Sequence, residues 1–169
     1  MTYMCTLLEL GMAETNKAAD IAAELDENSI FKQPAAFALA RDEYRQGSPE
    51  LASERLDVLL TRNPQSPLFW LYKARSLAVV EANDDALLAF ARALQLNPES
   101  RKISVEMSAH LQTMEEFDAA EQVLVGFLAL NPNDAASLSA LAGAYEGAGD
   151  PEKAEETLPQ PLDLTEGPH

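Results

Sequence analysis

The chain has a single cysteine, Cys5, among 169 residues, so no intrachain disulfide can form, and a reducing compartment suits it. Glycine is scarce at 7, and clusters of β-branched and aromatic residues that would mark strands are missing. Basic residues number 12 against 28 acidic ones, a formal charge of −16. A chain of that charge repels polyanions, which argues against nucleic acid and anionic membrane as partners. No stretch approaches the roughly 18 to 20 consecutive apolar residues of a membrane span. The opening MTYMCTLLELGM carries no Lys or Arg, and Glu9 interrupts its apolar run, so it does not read as a signal peptide. A cytoplasmic location is therefore expected; a periplasmic one would require a leader removed beforehand.

The residues that build catalytic centres are equally thin. The two histidines, His110 and His169, are far apart, and no His/Cys cluster has metal-ligand spacing. No glycine-rich phosphate loop, GxSxG or HExxH occurs, and Gly147 with Gly149 reads as a helix ending. Acid pairs such as Asp84-Asp85 and Glu115-Glu116 suit helix starts, where the dipole favours negative charge. No catalytic residue, metal or cofactor is expected, and Cys5, without a basic neighbour to lower its pKa, reads as structural.

What the chain has is Ala, Leu and Glu, which favour helix, and a repeat. Asn-Pro occurs at Asn63-Pro64, Asn97-Pro98 and Asn131-Pro132, at equal intervals along the chain. Sliding the chain by that period aligns Ala52, Ala86, Ala120 and Ala154, then Leu56, Phe90, Leu124 and Leu158. Ala40, Ala74, Ser108 and Ala142 form a third column, all small, and Ser66, Ser100 and Asp134 a fourth. A fixed period of this size marks a stack of supersecondary units.

Each unit reads as two helices, A and B. Ser66, Ser100 and Asp134 are N-cap types, able to accept from the free amides of a first turn. A helices are predicted over about 34–46, 67–80, 101–113 and 135–147. Gly47-Ser48-Pro49 and Gly149-Asp150-Pro151 supply a terminator, a cap and a helix-opening proline. B helices follow over about 49–62, 84–96 and 117–130, each stopped by the proline of an Asn-Pro pair, and a last one starts at Pro151. The small columns let A and B approach closely, and Trp70, Leu77, Phe90, Leu124 and Tyr145 fill the remaining space.

These columns resemble the tetratricopeptide repeat (TPR) family, whose W-x2-L-G-x2-Y, A-x3-F, A and P positions recur with a period of about 34 residues. Residues 67–100 carry the pattern best, in Trp70, Ala74, Leu77, Ala86, Phe90, Ala93 and Pro98. Lys73 and Glu43 depart from it, standing where Leu and Tyr are usual, and Phe127 replaces a small Ala. The resemblance implies an all-α solenoid of antiparallel helix pairs in a right-handed superhelix. It implies units at 33–66, 67–100, 101–134 and a truncated 135–158. Residues 1–32 are expected to form a helical, degenerate leading repeat with Lys17 to Leu25 as its second helix, and 159–169 a Pro-rich, acidic, disordered tail.

The resemblance also implies function: a non-enzymatic module, adaptor or chaperone-like, that holds a partner peptide or protein in a concave groove. Bacterial proteins of this kind serve secretion and complex assembly. The groove positions of the family fall here on Phe37, Arg41, Tyr44, Arg45, Leu71, Tyr72, Arg75, Val79, Lys102 and Val105. Four cations among aromatic and apolar side chains suit a peptide with apolar anchors and some negative charge. The competing reading pairs these arginines with Glu on their own helices. The family's carboxylate clamp places Lys and Asn where this chain has Phe37, Arg41, Tyr72, Lys102 and Glu106. Only Lys102 agrees, and Glu106 would repel a carboxylate, so that ligand is not expected. A self-assembling scaffold that covers the apolar face left by Ala154 and Leu158, and an accessory domain for an enzyme on another chain, are the alternatives.

Overall fold

A computed structural model describes residues 32–158. The expectations for the leading segment, for Cys5 and His169, and for the tail from Pro159 onward lie outside the described residues. The chain forms two compact units that meet in sequence at Leu96 and Asn97. In the first, α1 (Lys32–Arg45), α2 (Pro49–Arg62), α3 (Pro67–Val79) and α4 (Asn83–Leu96) follow one another. In the second, α5 (Arg101–Thr113), α6 (Phe117–Leu128), α7 (Ala135–Ala148) and α8 (Pro151–Thr157) do the same. Each helix packs on its chain neighbour within the unit, and the A helices also touch, α1 with α3 and α5 with α7. This is the helix-pair architecture that the repeat implies, and no strand occurs among the described residues.

The period is written into the turns as well as the core. At every A-to-B corner one residue has a left-handed backbone: Gly47 (φ 80°), Glu81 (φ 59°), Glu115 (φ 61°) and Gly149 (φ 82°), spaced by the same period as the Asn-Pro pairs. The same pair of hydrogen bonds closes each corner. Ser48, Ala82, Glu116 and Asp150 donate their amides to Glu43, Leu77, Leu111 and Tyr145 at 2.9–3.0 Å. The left-handed residue donates to the carbonyl three positions back. This Schellman arrangement satisfies carbonyls a helix end would otherwise leave open. Two corners use glutamate where glycine is sterically easier, at a cost of about 1 kcal/mol each.

The B-to-A corners work differently. Asn63, Asn97 and Asn131 accept from the amides of Ser66, Ser100 and Asp134, folding each Asn-Pro turn. The side chains of Ser66, Ser100 and Asp134 then accept from Phe69, Ile103 and Ser137, which caps α3, α5 and α7. Asp150 caps α8 through the Lys153 amide. Ser48, expected to cap α2, makes no side-chain cap bond.

Both small columns are buried: Ala52, Ala86, Ala120 and Ala154, and Ala40, Ala74, Ser108 and Ala142. Leu56, Phe90 and Leu124 sit buried beside them, but Leu158 is 42% exposed because α8 ends at Thr157. Trp70, read from sequence as core, is half-buried; its indole donates to the Pro64 carbonyl at 2.8 Å and ties α3 to its own entry turn. The two departures from the family pattern find partners across helices. Lys73 pairs with Asp57 of α2. Glu43, buried at 9% exposure, accepts two bonds from Arg55 of α2, 2.8 Å from Nε and 2.6 Å from Nη2. That fork holds the Arg55 pKa above its ordinary value, the hydrogen bond outweighing desolvation.

The Gly147 and Gly149 pair stands at the end of α7, as its sequence suggested. Gly149 terminates α7, and Gly147 lies inside its last turn, where a Cβ would come 2.3 Å from the Phe117 ring. The glycine makes room for the aromatic residue that opens α6.

Candidate interaction face on the first unit

On α1, Phe37, Arg41 and Tyr44 are spaced four and three residues apart, so they share one face of the helix. On α3, Tyr72 and Arg75 share a face in the same way. Contact between α1 and α3 brings the two rows together. The rings of Phe37 and Tyr72 meet edge to face at 5.2 Å, and Tyr44 meets Tyr72 at 6.3 Å and 86°. On its inner side Phe37 lies 5.0 Å from Phe69. The Arg75 guanidinium stands 4.7 Å from the Tyr72 ring centroid, a cation–π contact that fixes its direction.

Arg41 is half-buried, and its Nε is shielded from water with no hydrogen-bond partner. A buried donor left unpaired costs about 1–3 kcal/mol, and more when charged. The competing reading, in which the arginines pair with acids on their own helix, does not describe this residue. The nearby buried glutamate, Glu43, is held by Arg55 instead.

The structure thus gathers Phe37, Arg41, Tyr44, Tyr72 and Arg75 into one aromatic and cationic face. Arg45 is exposed at the end of α1, and Val79 is exposed at the end of α3. Leu71 does not belong to the face: at 3% exposure it is core, because α3 is packed on α1, α2 and α4 and turns that position inward. In the second unit Lys102 is exposed and Val105 half-buried on α5. Phe69, the inner support of Phe37, is absent from the groove positions. Its signal was the column Ala35, Phe69, Ile103 and Ser137, all four of which are buried.

The tetratricopeptide repeat family profile matches residues 37–101 and 109–158, about two thirds of the chain. The chain belongs to the tetratricopeptide repeat family. No curated protein matches it in sequence. Solved structures that share its fold include a crystal structure of MamA protein, 17% identical over 90% of this chain and 82% of that one, with a TM-score of 0.74. A second MamA crystal structure is 17% identical, covering 85% and 81%, with a TM-score of 0.71. MamA from Desulfovibrio magneticus RS-1, residue 41 to the end, is 26% identical, covering 74% and 71%, with a TM-score of 0.64. Membership makes this an α-solenoid module of the kind that engages other proteins. TPR repeat proteins are generally non-enzymatic interaction modules. Among the described residues no helix is long and apolar enough to cross a membrane.

Proposed function

We propose that the α1/α3 face binds a partner peptide or protein segment that carries an acidic group beside an aromatic or aliphatic anchor, and that the chain acts as an adaptor with no chemical step of its own. The observation that carries this reading is Arg41. Its Nε is buried without an acceptor and no acid of its own helix holds the guanidinium, so an incoming carboxylate at the outer guanidinium nitrogens adds a charge-assisted hydrogen bond that the chain alone forgoes. Arg75, held over Tyr72, supplies a second cation already oriented, which lowers the ordering cost of binding. Phe37, Tyr44 and Tyr72 offer apolar area with few rotatable bonds, as interface anchors do.

The test is selection from a displayed random-peptide library with the full chain and with an Arg41→Glu/Arg75→Glu double variant. The wild type should enrich peptides combining Asp or Glu with Phe, Tyr, Leu or Ile, and the variant should not. Enrichment of the same peptides by both would remove binding from this face.

A further inference from the structure

A second surface lies on the second unit, on the outer side of α6. With 3.6 residues per turn, Asp118, Gln122, Val125, Gly126 and Ala129 fall within an arc of about 100°. That arc lies opposite the buried Ala120, Leu124 and Phe127. All five residues are exposed, Val125 at 46%, and Leu130 just past the helix is exposed at 58%. The face is acidic where α6 starts, at Glu116 and Asp118, and aliphatic where it ends.

Gly126 is the residue on this face that the fold itself does not explain. Inside a helix glycine is a poorer choice than alanine, because its unfolded chain has more freedom to lose. Gly47 and Gly149 answer left-handed corners, and Gly147 makes room for Phe117. Gly126 has neither reason: it lies inside α6, and a Cβ built on it meets nothing within 4 Å. Bare backbone on an exposed helix admits a close approach from outside. The side chains at a crossing set how near two helices come, so Gly126, flanked by Val125 and Ala129, suits a helix laid against it.

Charge names the chemistry of that helix. From Lys32 to Leu96 eight basic residues stand against eight acidic ones, and from Asn97 to Leu158 three stand against twelve. Two of those three bases are already engaged, Arg101 with Asp134 and Lys153 with Asp150. Glu115, Glu116 and Asp118 form no salt bridge among the described residues. The helix dipole accounts for acids at the start of α6. It accounts neither for the exposed valine and leucine at the other end nor for the bare glycine beside them.

We infer that the outer face of α6 docks a basic, amphipathic helix of another protein. Its Lys or Arg side chains meet Glu116 and Asp118, a small residue crosses at Gly126, and aliphatic side chains cover Val125 and Leu130. The acidic and aliphatic ends of the face fix the direction of the bound helix. This face shares no residue with the α1/α3 face.

The test starts with a displayed library of helix-forming peptides of about 18 residues, randomised on one face. It is selected on the full chain carrying Arg41→Glu/Arg75→Glu, which disables the α1/α3 face. Selection should enrich Lys or Arg at one end of the randomised face, and Gly, Ala or Ser with Leu, Ile or Val at the other. One enriched peptide is then labelled and titrated by fluorescence anisotropy at about 0.1 M and about 1 M salt. Wild type should bind it as tightly as the double variant. Gly126→Ala leaves every charge in place and should keep or raise Tm, yet should bind about fivefold more weakly. Val125→Glu should keep the wild-type circular dichroism and lose binding. Glu116→Gln/Asp118→Asn should weaken binding about fivefold at the lower salt and much less at the higher. Failure to enrich Lys or Arg, weaker binding by wild type than by the double variant, or an affinity that Gly126→Ala or Val125→Glu leaves unchanged overturns the inference. So does a wild type that gains mass with concentration in sedimentation velocity and loses that gain in Val125→Glu, which assigns the face to a second copy.

Discussion

Replacing Gly147 with alanine pits two effects of known size against each other. A glycine in an exposed helix is normally a weak point, and Gly→Ala gains up to about 1 kcal/mol, somewhat less in a last turn such as this one. Here the new methyl would lie 2.3 Å from Cε1 of Phe117 and 2.9 Å from Cδ1 and Cζ. Carbon atoms in contact prefer about 3.5–4.0 Å, so the ring must move by more than about 1 Å. Phe117 is half-buried at the start of α6, and displacing a packed aromatic costs about 1–3 kcal/mol. The clash wins by about 1 kcal/mol, which lowers Tm by roughly 2–4 °C in a chain of this size. Gly126 is the control: it lies inside α6 with nothing within 4 Å of a built Cβ, so Gly126→Ala should raise Tm by a similar amount. A Phe117→Leu background relieves the contact, and in it Gly147→Ala should turn stabilising. Thermal and urea unfolding followed by circular dichroism read all four variants. If Gly147→Ala raises the midpoint with Phe117 intact, the packing argument is wrong.

Further predictions concern corners, caps and buried charge. Glu81→Gly and Glu115→Gly relieve left-handed backbone at non-glycine residues and should each stabilise by up to about 1 kcal/mol in urea titrations. Ser66→Ala removes a cap bond and should cost about 1 kcal/mol, whereas Ser48→Ala, which removes none, should leave the midpoint nearly unchanged. Glu43→Ala breaks the fork to Arg55 and should cost about 2 kcal/mol; a double-mutant cycle with Arg55→Met should return a coupling of at least about 1 kcal/mol. The Asp134 carboxylate is held below its ordinary pKa, mainly by the Ser137 amide, and Asp150 likewise by Lys153. A depressed folded pKa gives stability that is present above the unfolded value near 4 and lost as pH falls through the folded one. Tm should therefore drop below about pH 4, and Asp134→Asn, which still caps but does not titrate, should flatten part of that drop.

The parts of this fold that were legible in sequence are those where one residue type is nearly the sole solution. Proline after asparagine, Ser or Asp before a helix, and alanine where two helices touch recur once per repeat and locate the helices to within one or two positions. The left-handed corners were half legible. Gly47 and Gly149 announce themselves, but Glu81 and Glu115 adopt the same backbone because the Schellman bonds and the packing on either side impose it. The aromatic face came through because Phe37, Arg41, Tyr44, Tyr72 and Arg75 keep helical spacing. Leu71 was misplaced by position alone, since its neighbours decide whether it faces in or out. Pairs across helices, such as Glu43 with Arg55, depend on hairpin register to within a few ångströms, which no single-chain pattern displays.

On the proposed reading, the α1/α3 face holds an acidic, apolar-anchored segment through Arg41. Its most direct test is calorimetric titration of a selected peptide into the wild type and into Arg41→Met, with Tm measured on both. Methionine keeps the aliphatic stem and removes the buried, unpaired Nε. Arg41→Met should lose affinity tenfold or more, on the order of 1.4 kcal/mol, with Tm unchanged or raised. Unchanged affinity, or an affinity loss that merely follows a fall in Tm, would contradict it.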